Sequence, residues 1–214
     1  MEFLKEMAEY SAKNADLLLL YTGQHLLMVL IGVAAALIIG TLLGILCSRY
    51  PKLAPVIISI ANIVQIIPSL ALLALLMIYF GLGFFTITAG LFFYSLLPII
   101  RHTYVGLQQV DPSLTEAGHG IGMTYIQLLT KVQLPAAMPF ILAGLRIAAV
   151  IAIGVATLAP LVGGDGLGRE IFSGINSRNY VRIYVGAIPA CIVAILADII
   201  LGRLERRAKI RAAG

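Results

Sequence analysis

The chain has 214 residues, 60% hydrophobic and 12% charged, with a mean hydropathy of +1.00. A soluble domain is near half apolar and a quarter charged, so the bilayer is the main solvent here. The net charge of +5 does not point to nucleic acid, because the basic residues sit at the ends of apolar runs, where they anchor and orient membrane spans.

The first stretch, MEFLKEMAEYSAKNAD, lacks the basic and apolar regions of a cleaved signal peptide. Its Phe3, Leu4, Met7 and Ala8 fall at helical spacing, which suits a short helix lying on the membrane surface. A disordered tail is the alternative. Five apolar spans follow, near 26–47, 54–80, 86–105, 139–162 and 181–202, each long enough to cross a bilayer. The charge-free run from Leu53 to Ile100 is too long for one helix, and Gly81 and Gly83 supply the turn that divides it. The expected fold is therefore all-α, a polytopic membrane protein of one domain over 1–214. Five spans put the termini on opposite sides. With the tail RLERRAKIRAAG in the cytoplasm, ten of the 15 Lys and Arg residues face inward, which predicts an outside N-terminus and a cytoplasmic C-terminus. Cys47 and Cys191 lie in apolar runs and read as small hydrophobes.

Between the third and fourth spans lies a polar segment, 110–135, on the predicted cytoplasmic side. It reads as two short helices joined by a glycine hinge. Asp111 caps the first, with Pro112 at its first position, and Gly120 and Gly122 end it. Thr124 and Gln127 form a T-x-x-Q capping box for the second, and Pro135 is expected to end it. Ile126, Leu128, Leu129 and Val132 give that helix an apolar face to lay on the bundle. Ser113, Ala117 and Gly118 leave the first helix small enough for another surface to come close. A loop this long and this sharply capped is expected to be functional, as a docking element, more than a passive connection.

Within the spans, Asn62, Gln65, Pro68 and Ser69 cluster near the middle of the second, where Pro68 removes a backbone hydrogen bond and can kink the helix. Polar groups at this depth face the bundle or a wet cavity, so these four border a substrate path or bond neighbouring helices. Tyr94 and Thr157 raise the same question. Asp198 is expected to pair with Arg203 or to snorkel. His25, His102 and His119 show no metal-ligand spacing, and no acid, base or nucleophile cluster marks an enzyme. There is no G-x-x-x-x-G-K-[ST], so the chain carries no nucleotide loop of its own. GGDGLG reads as a tight turn on the outer side.

The polar segment resembles the cytoplasmic "EAA" loop of the inner-membrane permeases of binding-protein-dependent ABC importers. Glu116-Ala117-Gly118, then Gly122, then Val132-x-Leu134-Pro135 follow that pattern at the same spacing, with Gly118 in place of the second alanine and Val132 in place of isoleucine. NIVQIIPSLALLALL, YSLLPIIRHTYVGLQQVDP and GGDGLGREIFSG look like the osmoprotectant branch. The resemblance implies a type I importer permease for glycine betaine, carnitine or choline. It implies two ATPase subunits that dock on the loop and bind the ATP, a second permease subunit, identical or paralogous, and an extracytoplasmic binding protein. Glu116, Ala117, Gly118, Gly122, Leu134 and Pro135 would be the coupling residues. The chain itself would hold no cofactor. The alternatives are a permease for another small solute such as an amino acid, or an ATP-independent carrier.

Overall fold

The computed structural model describes residues 2–213. Within them the regular structure is helical throughout: α1 (Glu2–Lys13), α2 (Ala15–Arg49), α3 (Ala54–Ile66), α4 (Ser69–Phe80), α5 (Phe84–Gln108), α6 (Pro112–Gly120), α7 (Tyr125–Leu128), α8 (Leu134–Ala156), α9 (Gly168–Asn176) and α10 (Tyr180–Ala213). A π turn, Leu129–Gln133, joins α7 to α8, and a 3-10 turn, Ala159–Val162, follows α8.

Four stretches are long and apolar enough to cross a membrane: α2, α5, the run from α7 through α8, and α10. The fifth apolar stretch is broken. α3 and α4 meet at 100°, so the region 54–80 is a bent pair in place of a single kinked span. Pro68 disfavours helical backbone at Ile67, which is extended at φ −61°, ψ 128°. The Ile67 carbonyl, freed by the break, accepts a hydrogen bond from the Tyr94 hydroxyl on α5. Orphaned backbone groups at membrane depth are costly, and Tyr94 removes this one.

α2, α5, α8 and α10 form the packed centre. α2 lies so close to α5 that a Cβ at Gly40 would stand 2.9 Å from Ile99 and one at Gly44 2.5 Å from Thr103. Small residues let helix backbones approach where lipid offers no hydrophobic drive for association. The resulting core joins Met28, Val29 and Val33 of α2 to Ile87 and Leu91 of α5 and Ala152, Ile153 and Ala156 of α8. The outer flanks stay apolar and exposed, as at Leu30, Ile38, Ile63, Ile78 and Ile195.

α1 is helical and packs on the start of α10, with Phe3 edge-on to Tyr184 at 5.3 Å. The basic tail continues α10 as one helix past residue 202. Asp198 does not pair with Arg203. It binds Arg146 of α8 in two-pronged fashion at 2.6 and 2.7 Å, with Glu205 third at 3.4 Å. Residues five apart on a helix do not face each other, whereas α8 and α10 pack side by side.

Candidate functional site

At one end of the bundle α6 and α7 stand as a small, largely exposed tip. The Ser113 amide donates to Asp111 Oδ1 at 2.8 Å, with Pro112 at the first helical position. That bond holds the Asp111 carboxyl below the ordinary carboxylate range. α6 closes with two bonds: Gly122 N–H to the His119 carbonyl at 2.9 Å and Met123 N–H to the Gly118 carbonyl at 3.0 Å. This is a Schellman motif, and it requires the left-handed backbone that Gly122 adopts at φ +79°. Nothing lies within 4 Å of where a Gly122 Cβ would stand, so backbone conformation, and not close approach, explains the glycine. Thr124 and Gln127 form the reciprocal capping box, at 2.9 and 3.4 Å.

Glu116 and Ala117 are exposed on α6. Gly118 is not part of that outward surface: it is buried, and a Cβ there would meet Leu128 at 2.5 Å. Its smallness lets α6 rest on α7, a correction to its expected role on an open face. Of the apolar face expected on the second helix, Leu128 is buried, while Leu129 and Val132 are half-buried and Ile126 is exposed. Pro135 does not end that helix. The chain passes through the π turn into α8, whose first residues are Leu134 and Pro135, and the wide turn falls where Pro135 has no N–H to give to an α-helical ladder. The tip and the span are thus one continuous rod, Tyr125–Ala156. Arg49, at the end of α2, stacks over the Tyr125 ring at 4.1 Å and ties the tip to a second span.

The polar residues in the spans do not form one cluster. Asn62 and Pro68 are exposed and Gln65 and Ser69 half-buried, on either side of the break. Tyr94 is buried and joins them through the Ile67 carbonyl. Thr157 stands apart, at the C-terminal end of α8, where its hydroxyl donates to the Gly154 carbonyl at 2.7 Å.

The far end of the bundle holds a feature the sequence reading missed. Glu170 of α9, 1% exposed, accepts from Arg182 of α10 at 2.9 and 3.1 Å and from the Tyr10 hydroxyl of α1 at 2.9 Å. Burial, and then the Glu170 carboxylate, raise the Tyr10 phenol above its usual range. The short helix that carries Glu170 sets it opposite the apolar Ile171, Phe172 and Ile175, so the sequence pattern alone would turn it outward. Its partners could not be read, because they come from other elements. Asp165 and Arg169 of the same run pair with each other. Among the described residues no His, Cys, Asp and Glu cluster could hold a metal ion.

Residues 24–210 match the family described as the binding-protein-dependent transport system inner membrane component. The glycine betaine/carnitine/choline transport system permease protein OpuCD of Bacillus subtilis is 44% identical over 96% of this chain and 90% of its own. The carnitine transport permease protein OpuCD of Listeria monocytogenes is 45% identical over 96% of this chain and 93% of its own. In shape the chain matches a subunit in an inward-facing structure of the MetNI methionine ABC transporter, with a TM-score of 0.81 over 92% of this chain and 98% of that one at 22% identity. The fold is that of a type I ABC importer permease.

Proposed function

The chain belongs to the binding-protein-dependent transport system inner membrane component family, and on that premise we propose how its geometry serves transport. It is a multi-pass permease subunit of an ABC importer for quaternary-amine osmoprotectants, not an enzyme; hydrolysis belongs to a separate ATPase. Relatives above 40% identity are named for glycine betaine, carnitine and choline, whereas the methionine transporter is related at 22%. That contrast favours the osmoprotectant reading over an amino-acid permease.

The observation that carries the mechanism is the rigid join of tip to span. Two ATPase subunits hold the ATP and dock on the tips of two paired permeases, while a binding protein delivers solute at the opposite end. Glu116, Ala117 and the exposed Ile121 form the inserted surface. Gly122 shapes the tip, and Leu134 and Pro135 join it to the span. Closure of the ATPase pair moves the tip, and α8 carries that movement into the bundle without a flexible joint. The alternating states then open the path to one side or the other. Asn62 and Gln65 border that path next to the break at Pro68. Tyr94 holds the break and Thr157 lies toward the delivery end. The basic asymmetry puts the tip in the cytoplasm.

Purified permease, ATPase and binding protein in proteoliposomes should take up glycine betaine, carnitine or choline only with ATP inside. Uptake by the permease alone would sink the importer reading. A tag at residue 1 should label from outside intact cells and one at residue 214 only after permeabilisation. Cysteine at Asn62 or Gln65, in a Cys47- and Cys191-free background, should react with a polar thiol reagent at a rate that ATP changes. Inertness in every state would return both to helix packing.

A further inference from the structure

Between α8 and α10, beside the tip, runs a cleft of about 700 Å³. Its two ends differ. At the mouth stand Lys131, Arg207 and Arg211, all exposed. Along the cleft from them the walls are apolar: Met138 and Leu204, both exposed, and the half-buried Leu142. Leu204, Arg207 and Arg211 share one face of α10 at spacings of three and four, so the cleft grades from cationic to apolar along about 10 Å of helix. One turn further along the same seam, Arg146 has Asp198 and Glu205 as partners. Among the described residues, the three cations at the mouth have no carboxylate partner.

We infer that this cleft binds one anionic phospholipid, its phosphate at Lys131, Arg207 and Arg211 and an acyl chain along Met138, Leu142 and Leu204. The charge demand is local and uncompensated, and the apolar floor continues into the part of α8 and α10 that lies in the bilayer. A cationic rim above an apolar slot where a helix leaves the membrane suits an amphiphile with an anionic head. An acidic segment of a protein partner would satisfy the rim and leave the slot empty. The bound lipid fills the seam between the rod that carries the tip and the last span, where it stiffens their contact.

The full-length chain in nanodiscs of mixed phosphatidylglycerol and phosphatidylcholine tests this. Each lipid is supplied in turn as a trace probe with a photoreactive acyl chain, and the labelled peptides are mapped. The phosphatidylglycerol probe should label the segments around Met138–Leu142 and Leu204 in preference to the phosphatidylcholine probe. Replacing Lys131, Arg207 and Arg211 by Gln should cut that labelling by at least about ten-fold, since each basic group near the surface contributes to anionic-lipid attraction. Phosphatidylcholine labelling on the far flank of α2 should hold, as a check of insertion. Should the triple variant fail to insert, Arg207→Gln alone should reduce labelling and Arg207→Lys restore it. Equal labelling by both probes, or labelling that survives the Gln changes, overturns the site. So does loss of labelling when the ATPase is bound, because the cleft would then belong to the protein partner.

Discussion

Glu170 reaches across 160 residues of sequence to Tyr10 at one end of the bundle, while at the other end the hydrogen bonds that shape α6 and α7 span five residues or fewer. The first end is fixed by tertiary contacts: α1, α9 and α10 meet on one buried carboxylate. The second keeps its shape through caps and one glycine, with little core of its own. A tip built this way can leave or change its surroundings and remain the same object. The far end cannot, because its order exists only while three helices stay together. The difference suits a handle at one end and an anchor at the other.

The largest effect should come from the anchor. Glu170→Gln removes the charge that faces Arg182 and should cost about 3 kcal/mol, the lower range for breaking a buried pair. A marked fall in the thermal midpoint of the purified protein would measure it. An unchanged midpoint would mean that the far end holds without the carboxylate. Gly122 tests the handle. Gly122→Val should cost on the order of 1–3 kcal/mol in local strain, leave membrane insertion normal, and uncouple ATP hydrolysis from transport in the assembled importer. Gly122→Asn should keep coupling, because asparagine tolerates the left-handed region and the site has room. If asparagine fails as badly as valine, a partner presses on this backbone and the shape argument fails. The smallest effect belongs to Thr124→Ala, which removes one cap worth about 1 kcal/mol. Amide exchange at Gln127 should speed up while the far end stays protected. Acid should weaken the Asp111 cap in the same local way. Its carboxyl titrates below the unfolded value, so the cap is intact above that value and is lost as pH falls through the folded one.

The handle was legible in the sequence because its bonds are local. Asp111, Pro112, Thr124, Gln127 and Gly122 announce their roles by type and spacing, and the structure gives each bond. Four of the apolar stretches were legible as long helices because their hydropathy is continuous along the chain. What escaped depends on distant partners. Pro68 warned of a kink but could not set a bend of 100°. Gly118 was small for Leu128, ten residues on, and not for an outside surface. Asp198 found Arg146 on another helix. Glu170 lies just past the run read as a turn, and only the packed fold brings Tyr10 and Arg182 to it.

The π turn at Leu129–Gln133 widens the rod where the tip meets the span. A π turn is one extra residue held inside an otherwise regular helix. Each residue of an α-helix turns the chain by about 100°. Deleting one residue here would let α7 and α8 fuse into an unbroken α-helix, with every span left in place. The wide turn spreads its extra residue over a slower twist, so the tip would keep close to its present heading. The rod thus carries one residue more than a plain helix of the same reach, and the surplus is stored in width at Leu129–Gln133 and not in a change of heading.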